Sequence, residues 1–213
     1  MAPKIKSNQD REHLRKQILD AARSLFVERG IEAVSMREIA KKINYSATTL
    51  YNHFADKDAL LQAVCDNDFL ALTGDMQKIT QIPDLIERLK AFLLGYAHFA
   101  LQYPNHYRLM FMTPRPNCDP DTSAIEKGNA EQDGYALIQQ LVQAVFAADL
   151  FRADISDCEL LVQTLWAGMH GVCSIEITLG KDQWVEWTTI EERLNLMLNV
   201  MLRGLLRYPD RIS

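Results

Sequence analysis

Apolar residues recur at intervals of three and four along almost the whole 213-residue chain, and no run of alternating β-branched residues interrupts them. That period lays a buried stripe along helices and cannot line one face of a strand. The expected fold is therefore all-α. Leu14, Ile18, Ala21, Ala22 and Leu25 form the first stripe, over Asp10–Glu28, and Gly30 stops it just after Arg29. Ser35-Met36-Arg37-Glu38 has the S-x-x-E form of a capping box and opens a short second helix with Met36, Ile39, Ala40 and Ile43 inward. Asn44, which tolerates the left-handed conformation, ends it. Ser46 offers an oxygen to cap a third helix, Ala47–His53, and Asp56 caps a fourth that runs from Lys57 to about Lys78.

Longer helices follow. Pro83 and Asp84 open one that carries Leu85, Leu89, Phe92, Tyr96 and Phe99, and Pro104 closes it. The short segment Asn105–Met112 precedes the loop TPRPNCDPD, Thr113–Asp121, with three prolines. Further helices are expected over Thr122–Leu150, Ser156–Leu179 and Trp187–Arg207. The last bears Leu194, Met197, Leu198, Met201, Leu202 and Leu205, a stripe wider than a coiled-coil seam.

With 48% apolar and 24% charged residues the composition is that of a packed globular protein, not of a disordered or repetitive one. Charge is unevenly placed. Residues 1–62 hold 11 Lys/Arg against 8 Asp/Glu, net +3, while residues 63–213 hold 12 against 20, net −8. A basic head on an acidic body suggests a polyanion-binding module joined to a part that does not touch the polyanion. Two domains are expected, 1–62 and 63–213. The long uncharged run Leu160–Ile175 is broken by Gln163, His170 and Ser174 and falls short of the ~20 apolar residues of a bilayer crossing, so no membrane span is expected. The N-terminal MAPKIKSNQDREHLRKQ has no apolar core of a secretion signal. Cys65, Cys118, Cys158 and Cys173 are scattered without CxxC pairing, as expected of reduced thiols in a cytoplasm.

Two short helices separated by Asn44-Tyr45-Ser46 have the proportions of a helix-turn-helix, whose second helix enters the major groove of DNA. The string SMREIAKKINYSATTLYNHFADKDALLQAV, Ser35 to Val64, resembles the DNA-binding signature of the TetR/AcrR family of bacterial regulators, and ILDAARSLFVERGIEAVS before it resembles that family's first helix and turn. The resemblance covers residues 14–64; beyond them only the helical layout is similar. Asn44 stands where the family usually has Gly. Trp166, His170 and Gly171 in LWAGMHGVCSI, with Tyr107-Arg108-Leu109-Met110-Phe111, resemble a subgroup of TetR-type C-terminal domains named for Trp, His and Gly.

The resemblance implies an N-terminal three-helix DNA-binding domain and a C-terminal helical domain for effector binding and dimerisation. It also implies a homodimer on a palindromic double-stranded DNA operator, released by a small, mostly apolar effector. Ser46, Ala47, Thr48 and Thr49 begin the recognition helix, where a Thr hydroxyl bonds any base and its methyl can touch thymine. Arg37 can grip guanine in two places and is the stronger reader. Tyr51, His53 and Lys57 match phosphate-binding positions of the family, and Lys57 lies beside a helix N-terminus. Lys4 and Lys6 add a basic arm. The alternative for His53 is a structural hydrogen bond, and Phe54 reads as a core aromatic.

For the effector, Phe92, Tyr96, Phe99, Tyr107, Met110, Phe111, Gln163, Trp166 and His170 lie on helices that surround a cavity in folds of this family; for any one of them, packing in the core is the alternative. His170 and Cys173 lack a third ligand, so no metal and no cofactor is expected. Nor is an enzyme, because GxSxG, GxxxxGK[ST], HExxH and GxGxxG are all missing from the sequence. The remaining rival is a protein-interaction adaptor of the same fold that has lost operator binding.

Overall fold

The computed structural model describes residues 8–113 and 122–208. Lys4, Lys6 and Cys118 lie outside the described residues, as does nearly all of the proline loop. Among the described residues there are nine α-helices, one 3₁₀ turn, one π turn and no strand beyond an isolated bridge between Phe151 and Leu206. The chain divides into two compact units, one holding the described residues of Met1–Phe69 and Asn105–Ile125, the other those of Leu70–Pro104 and Glu126–Ser213. The first unit therefore reaches past residue 62 and takes in a later stretch of chain.

In the first unit, α1 (Asn8–Arg29) buries Leu14, Ile18, Ala22, Leu25 and Phe26 against Ile39 of α2 (Met36–Lys42) and Leu50 of α3 (Ala47–Tyr51). Each fully buried Leu or Ile contributes roughly 1.5–3 kcal/mol of transfer free energy. Gly30, at φ +80, ends α1, with its N–H on the Phe26 carbonyl at 2.9 Å. The helix α4 (Lys57–Met76) begins in this unit and gives it Leu60, Leu61, Val64 and Cys65. Asp68 of α4 is buried and pairs with Arg23 of α1 at 2.7 Å and with Nδ1 of His106 at 3.2 Å. Asp66, also buried, accepts the Ala124 N–H at 2.9 Å and the Ser123 hydroxyl at 3.1 Å. These carboxylates join the core packing of Leu109 in tying His106, Ser123 and Ala124 to the helix-turn-helix unit.

Burial draws the Arg23 pKa down, but hydrogen bonds and charge from Asp68 and then Asp20 outweigh it and leave the pKa raised.

The second unit is built from α5 (Leu85–Gln102), α7 (Gly134–Ala147), α8 (Cys158–Leu179) and α9 (Ile190–Leu205), with α5 touching each of the other three. Asp84, Asp133 and Asp157 each cap the helix that follows by accepting first-turn N–H groups. Pro104 closes α5 as expected and also opens α6 (Pro104–Tyr107), a role that suits a residue with no N–H to leave unpaired.

Several expected boundaries move. The helix expected over Thr122–Leu150 exists only as α7. Gly128 sits at φ +87, its N–H donates to Asp133 at 3.0 Å, and Asn129 and Gln132 close two turns in place of helix. Helix α3 stops at Tyr51, two residues short of His53, and α4 gives way at Gln77–Gln81 to a 3₁₀ turn. The expected start of the last helix, Trp187, lies outside it. Thr189 and Glu192 form a reciprocal capping box that starts α9 at Ile190, and the Trp187 ring instead packs 4.9 Å from the Arg193 guanidinium.

By length and composition alone, α8 is long and apolar enough to cross a bilayer, because the uncharged run extends into a 22-residue helix. In the structure Leu161, Val162, Leu165, Met169 and Cys173 of α8 are buried, and the helix packs on α5, α7 and α9. One face of α8 is thus packed within the second unit.

Candidate nucleic-acid interface

The turn between α2 and α3 is held by local chemistry. Ser35 and Glu38 make both bonds of the capping box, with the Ser35 N–H donating to Glu38 at 2.9 Å. Asn44 takes φ 59, the left-handed conformation that Gly supplies more often. Ser46 then caps α3 by accepting the Thr49 N–H at 3.1 Å. This fixes the direction in which α3 leaves the turn and the face it shows to solvent.

On that face Thr48 and Tyr51 are exposed; Arg37 of α2 is exposed too and has no ion pair or side-chain hydrogen bond among the described residues. Leu50, wholly buried, anchors the opposite face. The Thr49 hydroxyl is 2.9 Å from that of Ser46, so Thr49 is half-buried and partly committed to the cap. Ala47 is half-buried and offers only a methyl. Lys57 does not stand free: its ammonium donates to the Ile31 carbonyl at 2.9 Å and lies 4.0 Å from Glu32. An ammonium has three donors, so the bond to Ile31 positions Lys57 and leaves donors over. Asp56 already accepts the Ala59 N–H at 2.8 Å, and this weakens the attraction of the α4 N-terminus for phosphate.

His53 makes no side-chain hydrogen bond among the described residues, so they supply no structural bond for it. Burial, then Arg11 and Arg15, press its imidazole below the ordinary histidine range. Phe54 is a core aromatic, and the Arg15 guanidinium lies 4.5 Å over its ring. Arg11 and Arg15 were not among the residues expected from the sequence. Their four-residue spacing, which puts both on one face of α1, was the available signal.

The residues expected around an effector fall into two sets. Tyr107, Met110 and Phe111 belong to the first unit, where Tyr107 is fully buried and packs 4.8 Å from Phe111, itself 5.2 Å from Phe69. Phe92, Tyr96, Phe99, Gln163, Trp166 and His170 belong to the second. Gln163 is exposed and donates to Glu159. Tyr96, Trp166 and His170 do converge. Trp166 Nε1 donates to the Tyr96 hydroxyl at 3.0 Å, and that hydroxyl is 3.3 Å from His170 Nδ1. Because an indole N–H only donates, the Tyr96 oxygen accepts from Trp166, while the direction of the Tyr96–His170 contact follows the imidazole's tautomer. Burial lowers the His170 pKa. Among the described residues no group of three or more His, Cys, Asp or Glu is placed to hold a metal ion. Burial pushes the Cys173 thiol up to about 12, away from the thiolate a metal would need.

Fold and site together define a helix-turn-helix transcriptional regulator that binds DNA. The family described as "Bacterial regulatory proteins, tetR family" matches residues 18–64, and "Tetracyclin repressor-like, C-terminal domain" matches residues 89–201. The HTH-type transcriptional repressor Rv3405c of Mycobacterium tuberculosis is 32% identical over 159 residues, covering 68% of this chain and 83% of that one. The HTH-type transcriptional activator FasR of Mycolicibacterium smegmatis is 35% identical over 105 residues, 47% of each chain. In fold, the chain is similar to a protein of unknown function from Rhodococcus sp. RHA1, with TM-score 0.74 and 21% identity over 97% of this chain and 100% of that one. It is also similar to SmeT, the repressor of the Stenotrophomonas maltophilia multidrug efflux pump SmeDEF, with TM-score 0.68 and 16% identity over 93% and 95%. The chain belongs to the TetR family. With that membership the enzyme reading falls, since these are regulators that act by binding DNA.

Proposed function

We propose that the protein is a cytoplasmic, ligand-responsive repressor that binds a palindromic operator as a homodimer and leaves it when a small, mostly apolar effector binds. Residues 1–62 carry the DNA contacts and residues 63–213 the effector and dimer functions. The observation that carries the DNA-binding half is Arg37, exposed and without an ion pair among the described residues, on the helix that precedes the capped α3, since an unspent guanidinium is the group best suited to grip guanine. The repressor reading is supported by Rv3405c, a repressor of which 83% aligns with this chain. Release would be a shift between two dimer conformations, only one of which spaces the recognition helices for successive major grooves.

In selection from random duplexes, Arg37→Ala is expected to relax one position of each half-site and to weaken the preferred site by ~1–3 kcal/mol. Lys57→Ala should instead weaken all sequences alike and lower the salt slope by about 1. Identical sequence preferences for parent and Arg37→Ala would remove Arg37 as a base reader.

The effector reading rests on Tyr96, Trp166 and His170, with Phe92 and Phe99 as apolar wall. Trp166 keeps 37% of its surface exposed, so it is only partly spent on packing. Trp166→Ala is therefore expected to cost less than the ~3–5 kcal/mol of a core Trp and to abolish the Tm rise given by whichever apolar compounds stabilise the parent. A much lower Tm with an unchanged compound-induced rise would place Trp166 in the core alone.

A further inference from the structure

On the surface of the first unit, Arg11 and Arg15 stand four residues apart on α1 and both act on His53, just beyond α3. The Arg15 guanidinium is seated 4.5 Å above the ring of Phe54, whose centroid is 6.5 Å from that of His53. Neither arginine forms an ion pair among the described residues, although Arg23 and Arg29 of the same helix both do. Glu12 is the one carboxylate bearing on His53, and its effect is the smallest of the charged groups there. A fold that concentrates positive charge without neutralising it gives up stability, which makes such a place a candidate binding site for an anion. The buried Phe54 holds one guanidinium in place beforehand, which lowers the cost of ordering it on binding.

We propose that Arg11, Arg15 and His53 form a phosphate-binding cluster that extends the DNA interface from α3 onto the N-terminal turns of α1. This rests on the reading of α3 as the DNA-facing helix. The two guanidinium groups supply fixed charge and forked donors to a backbone phosphate. His53, whose imidazole burial and then the two arginines shift toward the neutral form, gains a stabilising anion when the phosphate arrives and binds a proton more readily, so binding tightens as the pH falls. Such contacts are independent of sequence and require no knowledge of the operator.

The test uses the full chain and a mixed-sequence duplex, with affinity measured by fluorescence anisotropy against salt and against pH. Arg11→Gln and Arg15→Gln are each expected to lower the slope of log K against log salt by about 0.9 for every phosphate no longer neutralised, and Arg15→Lys to restore it. Parent affinity should rise as pH falls, by up to about tenfold per unit for each His53 that binds a proton, and His53→Gln should remove that portion of the rise. Parent slopes retained by both Gln variants, or an unchanged pH dependence in His53→Gln, would overturn the cluster while leaving α3 as the DNA reader. A parent that fails to bind the duplex even at low salt would overturn both. Arg11 is exposed, so its variant reports on binding even if Arg15→Gln loosens the packing over Phe54.

Discussion

Asp68→Ala is expected to cost about 3–5 kcal/mol of folding stability, the largest effect of any single substitution argued for this chain. Asp68 is only 5% exposed. It accepts Nε of Arg23 at 3.2 Å and lies 2.7 Å from the second guanidinium nitrogen, with His106 Nδ1 3.2 Å away on the other side. Its removal leaves a guanidinium, itself 12% exposed, with Asp20 as its remaining carboxylate. Most of the cost is that stranded charge, not the loss of an attraction. The distinction is measurable: replacing both partners by apolar residues, as in Arg23→Met with Asp68→Leu, should recover a large part of what Asp68→Ala loses. Urea denaturation gives each value. An unfolding free energy for Asp68→Ala within about 1 kcal/mol of the parent's would show that water reaches the pair and relieves it.

Nothing in the sequence announces that ion pair, for a physical reason. Arg23 and Asp68 are 45 residues apart, and a charge pair leaves no periodic trace. The same is true of Trp166 and Tyr96, 70 residues apart, whose bond joins α8 to α5. What is legible is what local physics determines. The stripe Leu14, Ile18, Leu25 marks the buried face of α1, and Ser35 with Glu38 marks the start of α2 because the capping box is complete within four residues. Asn44 adopts the left-handed conformation its short side chain permits. Thr189-Ile190-Glu191-Glu192 carries the same capping signal as Ser35–Glu38, yet the apolar spacing of α9 runs back past it to Trp187 and masks the boundary. The chain from Thr122 to Asp133 misleads differently. Its scattered apolar residues fit a helix, but Gly128-Asn129 is a turn pair that outweighs them. On the interface, residue types and spacing are enough to nominate Arg37 and Tyr51. They say nothing of Lys57 bonding Ile31, which depends on how α4 returns past the end of α1.

Leu196→Glu combined with Val200→Glu is expected to turn a dimer of about 49 kDa into the 24.3 kDa chain and to weaken binding to a two-half-site operator by about 10²–10⁴-fold. Leu196 and Val200 are 66% and 61% exposed, one turn apart on α9, while Leu194, Leu198 and Leu202 of the same helix are buried. On α8, Leu160, Ile175 and Leu179 are likewise exposed at 62%, 42% and 48%. Apolar side chains on both members of a packed helix pair are the surface a second copy would cover, giving four helices around a two-fold axis. Because the two glutamates enter solvent in the monomer, folding should be almost unaffected, so the melting temperature of a dilute monomer separates lost assembly from lost structure. Losing the dimer does not touch Arg37 or α3. Each half-site would still be read with the same sequence preference, and only the gain from holding two at once would vanish. Sedimentation at micromolar concentration gives the mass, and anisotropy on one-half-site and two-half-site duplexes gives the gain. A variant that stays dimeric, or one that sediments as a monomer yet binds the two-half-site duplex as tightly as the parent, would move the interface off α8 and α9.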